Sequence, residues 1–127
     1  MSWTKESKLN EIIAVIRPGK DRTTKEALSR VGCPAVTSLR AHGRGRQRGL
    51  RYPAASDAVA PAEAVVMRYL PKKILFLVVP EKKTKAVVHA ILNSNQTGQF
   101  GDGKIFILEM EESYRIRTGE RGESAVK

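Results

Sequence analysis

The chain has one cysteine in 127 residues, Cys33, so no internal disulfide can staple it and a reducing compartment suits it. Cys33 has no companions at metal-ligand spacing and reads as a small buried hydrophobe. No apolar run approaches the roughly 20 residues that span a bilayer. The first ten residues are polar and lack the pattern of a secretory signal. The expectation is a cytoplasmic protein with no membrane insertion. Aromatic residues make up only 6% of the chain, which implies an aliphatic core. Acidic residues are also scarce, 13 against 23 lysines and arginines, for a formal net charge of +10. Such an excess predicts an anionic partner. It is densest in "RAHGRGRQRGLR" (40–51), where glycines place it on flexible backbone.

The length favours one domain over residues 1–127. Within it, "IIAVIRPGK" (12–20) is echoed by "ILFLVVPEK" (74–82). Short apolar runs closed by proline read as buried strands. A helical pattern follows each run. In the first, Thr23 and Glu26 have the spacing of a capping box, Ala27, Leu28 and Val31 form an apolar stripe, and Gly32 ends it. In the second, Val87, Val88, Ile91 and Leu92 recur at helical spacing up to Asn93–Asn95. Each helix leads to another strand, Val36–Ala41 and Lys104–Met110. The order β-α-β, long loop, β-α-β predicts an α+β, ferredoxin-like double βαβ sandwich, with a four-stranded antiparallel sheet and both helices on one face. Residues 1–10 read as a polar tail, 43–69 as a long flexible loop and 115–127 as a C-terminal loop and tail.

That architecture leaves one sheet face uncovered, yet Ile74 to Val79 is apolar throughout, as in strands buried on both faces. The tail "RGESAVK" (121–127) is too polar to supply the cover. A homo-oligomer with its open faces packed inward follows.

"GQFGDGKIF" (98–106) has nearly the spacing of a phosphate-cradling P-loop. The hydroxyl that should hold magnesium is replaced by Ile105, and the order is helix, loop, strand rather than strand, loop, helix. The P-loop reading fails, but its ingredients remain. Glycines can turn successive backbone N–H groups inward as an anion nest, and Lys104 adds a charge. Beyond the strand, "YRIRTGE" (114–120) places Arg115 and Arg117 on one side if the segment is extended, where two guanidinium groups suit phosphate. With Arg46 they could form one polyphosphate site from separate segments.

Three stretches, "GRGRQRG" (43–49), "TGQFGDGKIF" (97–106) and "RIRTGERGE" (115–123), resemble the PII signal-transduction (GlnB-like) family, over nearly the whole chain. The resemblance implies a trimer of ferredoxin-like subunits that binds ATP or ADP between subunits and, with Mg-ATP, 2-oxoglutarate. It implies a nitrogen-regulatory protein, not an enzyme, that acts by docking its long T-loop on targets. Residue by residue, it implies that Gly101, Asp102, Gly103 and Lys104 form a phosphate-binding loop. Arg115 and Arg117 reach phosphates from the neighbouring subunit, while Gly45 and Arg46 contact the nucleotide from the long loop. Thr37, at the end of its strand, holds the base. Gln47 ligates Mg2+. Lys72 pairs with the distal carboxylate of 2-oxoglutarate, and Gln47, Arg48 and Gly49 surround that ligand.

The chain departs from the family pattern at three points. Tyr52 sits too close to the loop base to match the tyrosine that many members uridylylate. Phe76 stands where many carry a glutamate near the ribose. "PAASDAVAPAEA" lengthens the loop. These features are most similar to the second member of the nitrogenase-associated PII pair, which implies a related PII subunit and dinitrogenase as partners. Control of an ammonium channel or of glutamine synthetase is the alternative. An RNA-binding module shares the element order, but it needs exposed aromatics on its central strands, so no nucleic-acid partner is expected. His42 and His89 are isolated, which leaves no pair suited to activating water.

Overall fold

The structure, a computed structural model, describes residues 8–44 and 69–127. Strand β1 (Leu9–Ile16) leads through a 3-10 turn into helix α1 (Asp21–Arg30) and strand β2 (Thr37–Gly43). Strand β3 (Leu70–Pro80), helix α2 (Thr84–Asn95) and strand β4 (Lys104–Met110) repeat that sequence. The sheet order is β2-β3-β1-β4, with every pair antiparallel. This is the ferredoxin-like double βαβ arrangement.

Strand alternation divides the residues between two faces. Ile12, Ala14 and Ile16 of β1 and Leu75, Leu77 and Val79 of β3 are buried beneath Ala27, Leu28, Val87, Ala90 and Ile91 of the helices. Thr24, fully buried, donates its hydroxyl to the carbonyl of Lys20 and accepts from Asn95 Nδ2, so it ties the two helices together. The other face carries Ile13, opposite both Phe76 and Phe106, and Glu11 opposite Leu108. Leu39, Phe106 and Leu108 are each close to half exposed there. The uncovered face expected from the sequence is present in the single chain.

Three local expectations need correction. β1 begins at Leu9, inside the segment read as a polar tail, and Leu9 is 1% exposed. No capping box forms. Pro18 starts a 3-10 turn that runs into α1 at Asp21, with no side-chain cap, and Glu26 instead accepts from Arg22. Thr37 opens β2 rather than ending it. The C-terminal tail packs on the opposite end of the sheet from the helix-to-β4 loop. Gly122–Val126 forms a 3-10 turn against the end of β3, where Val126 and Lys127 line a cleft with Ala35, Val78 and Val79. The tail leaves Phe106 and Leu108 open.

Candidate functional site

Residues 97–103 join α2 to β4, and their shape is set by one carboxylate. Asp102 Oδ2 accepts the backbone N–H groups of Thr97 (2.7 Å) and Gly98 (2.9 Å). Its Oδ1 accepts the Thr97 hydroxyl (2.5 Å) and Arg17 Nη1 (2.6 Å). The Thr97 hydroxyl and amide, with Arg17 and Gly98, hold this carboxyl far below the ordinary carboxylate range. Asp102 is therefore the organiser of the loop, and its oxygens face inward. Gly103 completes the geometry. Its φ is 118°, and a Cβ there would lie 1.8 Å from the Val15 carbonyl oxygen, so the loop can approach β1 this closely only as glycine.

The amides of Thr97, Gly98 and Gln99 are occupied by Asp102 and Thr97 oxygens. Those of Phe100, Gly101 and Gly103 have no hydrogen-bond partner among the described residues, while Phe100 and Gly101 form a turn. Successive free N–H groups next to positive-φ glycines at 101 and 103 are the makings of an anion nest.

Two cations back this loop. Arg17, just past β1, donates through Nη2 to the Phe100 carbonyl (2.8 Å) as well as to Asp102. Lys72, near the start of β3, donates to the Gly101 carbonyl (2.9 Å). Lys72 is only 9% exposed and forms no ion pair among the described residues. Burial is the main cause that lowers its ammonium pKa, and the positive charge of Arg17 adds to it, while Asp102 opposes both. A buried cation with a carbonyl for partner is an under-compensated charge, and an anion would relieve it. Lys104, exposed at the start of β4, stands opposite Val15 on the same edge and lines an apolar cleft of about 340 Å³ with Gly103, Ile105 and Leu92.

The structure brings Gly101, Asp102, Gly103, Lys104 and Lys72 together. It does not bring Arg115 and Arg117 to them. The loop lies at the end of the sheet where Lys104 pairs with Val15 and Ile16 pairs with Lys73. The arginines follow Met110, which pairs with Leu9 at the other end. The strand separates the two sets by about 20 Å, at about 3.4 Å per residue. Nor is their segment extended. Residues 115–120 form a tight turn in which the Gly119 N–H donates to the Arg115 carbonyl and the Arg115 N–H to the Glu120 carbonyl. Arg115 is paired with Glu120, Arg117 is exposed with no partner among the described residues, and Ile116 between them is fully exposed. Thr37 sits opposite Phe76, on the outer edge of the sheet. The sites expected at Gly45, Arg46, Gln47, Arg48 and Gly49, and the departure at Tyr52, lie outside the described residues. At the loop's base the Arg44 guanidinium lies 5.3 Å from the centre of the Tyr69 ring, which closes its two ends on each other.

Arg17 is the residue of this candidate site that the sequence does not single out. Its only signal was a basic residue between a strand and Pro18, 85 positions from its partner.

One end of a ferredoxin-like sheet thus gathers a glycine loop, Arg17 and a buried lysine with no ion pair among the described residues, a set whose chemistry suits an anionic ligand. The family profile described as "Nitrogen regulatory protein P-II" matches residues 9–120, and the chain belongs to that family. Its members are regulatory signalling proteins, not enzymes. The chain is 40% identical over 123 residues to a Methanosarcina barkeri protein named "Nitrogen fixation nifHD1 region GlnB-like protein 2", covering 94% of this chain and 100% of that one. It is 42% identical over 121 residues to the Methanobacterium ivanovii "Nitrogen fixation nifHD region GlnB-like protein 2", covering 93% and 99%. Identity to the "Nitrogen regulatory protein P-II" of Rhizobium meliloti (strain 1021) is 42% over 118 residues, covering 93% and 100%. Among solved structures, PII of Arabidopsis thaliana bound to citrate superposes with a TM-score of 0.74 at 30% identity, covering 96% of this chain and 93% of that one.

Proposed function

We propose that this chain is a nitrogen-regulatory PII signalling protein that binds ATP or ADP, Mg2+ and 2-oxoglutarate at clefts between the protomers of a homotrimer. In this reading it controls its target by docking the long loop. The observation that carries the proposal is Lys72, buried and with only a carbonyl for partner among the described residues, beside Arg17 and a loop whose Phe100, Gly101 and Gly103 amides have no partner among them. A polyphosphate suits the amides and Lys104, and a dicarboxylate suits Lys72. The solved PII of Arabidopsis thaliana is named as bound to citrate, a polycarboxylate, which supports this reading.

The separation of the two cationic sets supports an oligomeric site. Arg115 and Arg117 cannot meet the glycine loop of their own chain at the far end of β4, but a neighbouring copy can supply them. The open apolar face of Ile13, Phe76, Phe106 and Leu108 gives that copy a surface to pack on. The names of the nifHD-region relatives favour dinitrogenase as the target and a related PII subunit as a companion.

The test is calorimetric titration of the full chain with Mg-ATP, then 2-oxoglutarate. We expect 2-oxoglutarate to bind only once Mg-ATP is present, and Lys72→Ala to abolish that second event while Mg-ATP still binds. Unchanged 2-oxoglutarate affinity in the variant would refute the assignment.

A further inference from the structure

Three of the five N–H groups of the Arg115 guanidinium are engaged inside its own chain. Nη1 donates to Glu120 Oε1 at 2.7 Å. Nη2 donates to the backbone oxygens of Ser124 (3.1 Å) and Lys127 (2.9 Å). An arginine holds phosphate bidentately through one of two forks, and each fork contains an Nη2 hydrogen. Both Nη2 hydrogens are taken by the tail, so neither fork is vacant.

The partners are built to hold this state. The Thr118 hydroxyl also donates to Glu120 Oε1 (2.8 Å), and the Glu120 N–H donates to Thr118 Oγ1. The turn is closed at both ends by Arg115 backbone groups. A second, separate anchor sits at the base of the tail. Glu112 accepts Arg121 Nη2 (2.6 Å) and Nε (3.1 Å), and the Gly122 N–H donates to the Ser113 carbonyl. At the far end, Lys82 pairs with Glu123 at 3.1 Å, and Val126 lies in the cleft lined by Ala35 and Val78. The base anchor does not involve Arg115. Freeing Arg115 therefore loosens the tail beyond Gly122 without detaching the whole segment.

We infer that Glu120 is an internal stand-in for phosphate, and that the C-terminal tail is a latch which polyphosphate opens by taking Arg115 away from Glu120, Ser124 and Lys127. The inference rests on the reading of Arg115 as a phosphate contact. It adds that anion binding is opposed by Glu120 and is reported by release of residues 122–127. A ligand that engages Arg115 in only one of the two states shifts the population between them. Reciprocity then requires that loosening the tail strengthen binding.

The experiment uses the full chain and three variants, Glu120→Gln, Glu120→Ala and Glu123→Gln, with Mg-ATP as the probe. Calorimetry gives affinity, and amide hydrogen exchange gives protection across 119–126. We expect Mg-ATP to lower tail protection in the parent chain. Both Glu120 variants should bind Mg-ATP about two- to fivefold more tightly, the range set by one partly exposed ion pair, and should show a less protected tail before ligand is added. Glu123→Gln keeps the Arg115 contacts and controls for simple loosening at the Lys82 end, so a smaller gain is expected. Mg-ATP uptake by the parent chain with the tail equally protected, or Glu120 variants of unchanged or weaker affinity, would overturn the latch and leave the nucleotide reading standing. No Mg-ATP uptake by the parent chain would overturn both.

Discussion

Arg17 and Asp102 are 85 residues apart in sequence and 2.6 Å apart in the fold. That ion pair joins the end of β1 to the glycine loop before β4, and the same guanidinium also holds the Phe100 carbonyl. It holds the loop in shape while the amides of Phe100, Gly101 and Gly103 have no partner among the described residues.

Asp102 makes the loop resistant to acid. Its carboxyl is depressed below the ordinary carboxylate value of 3.8. A carboxylate of this kind contributes stability that is present above its unfolded pKa and is lost only as pH falls through the lower folded value. We therefore expect the chemical shifts of Thr97 and Gly98 to stay native down to well below pH 3.8. Asp102→Asn should lose amide protection at Thr97 and Gly98 already at neutral pH. Loop shifts that titrate near pH 3.8 in the parent chain would contradict the arrangement.

Lys72 gives pH dependence of the opposite kind. Its ammonium pKa is lowered from 10.5 by burial and by Arg17. An acidic ligand binds the charged form, so affinity for 2-oxoglutarate in the presence of Mg-ATP should fall as pH rises through a value below 10.5. Arg17→Gln removes a like charge and should move that fall to higher pH. Affinity that stays flat to pH 10.5 would count against Lys72 as the carboxylate partner.

The glycines at 103 and 98 should respond differently to alanine. At Gly103 a Cβ would lie 1.8 Å from the Val15 carbonyl oxygen, so Gly103→Ala must push the loop off β1. We expect a loss of about 2–4 kcal/mol in denaturant unfolding. Gly98 has φ 82° but no heavy atom within 4 Å of a Cβ, so Gly98→Ala should cost only about 1–2 kcal/mol for the left-handed backbone. Equal losses would show that the close approach of the loop to β1 is not what requires glycine.

The open sheet face should govern assembly. Phe106 and Leu108 are 49% and 45% exposed in the single chain. Leu108→Glu places a charge where a neighbouring copy would bury it. Light scattering after size exclusion is expected to give a trimer for the parent chain and a lower mass for Leu108→Glu. A parent chain that runs as a monomer would remove the basis for a shared site.

How far the sequence could be read depended on the range of the interactions. β4, Lys104–Met110, is legible to the residue because a glycine-rich turn and an apolar run are both local signals. The helix faces follow from spacing for the same reason. The start of α1 is not legible, because Pro18 and Gly19 lead into it through a 3-10 turn and no side chain caps it. At 115–120 the condition of an extended segment is not met, and Thr118-Gly119, with Gly119 at φ 76°, is the local signal of the turn that forms there. The roles of Arg17 and Asp102 were not legible. They exist only once β1 and the segment before β4 lie side by side, and no local pattern encodes that contact.

The central claim is that one cleft takes its loop from one protomer and its arginines from another. Complementation measures this directly. Lys104→Ala damages the loop side. Arg117→Ala damages the far side, where Arg117 is exposed with no hydrogen-bond or ion-pair partner among the described residues. Each variant alone should lose Mg-ATP binding. When the two are dissociated together and reassembled, about a quarter of the clefts should pair an intact loop with an intact arginine by random assortment in a cyclic oligomer, and calorimetry should recover that fraction of sites. A mixture that binds no more Mg-ATP than its separate components would contradict the account.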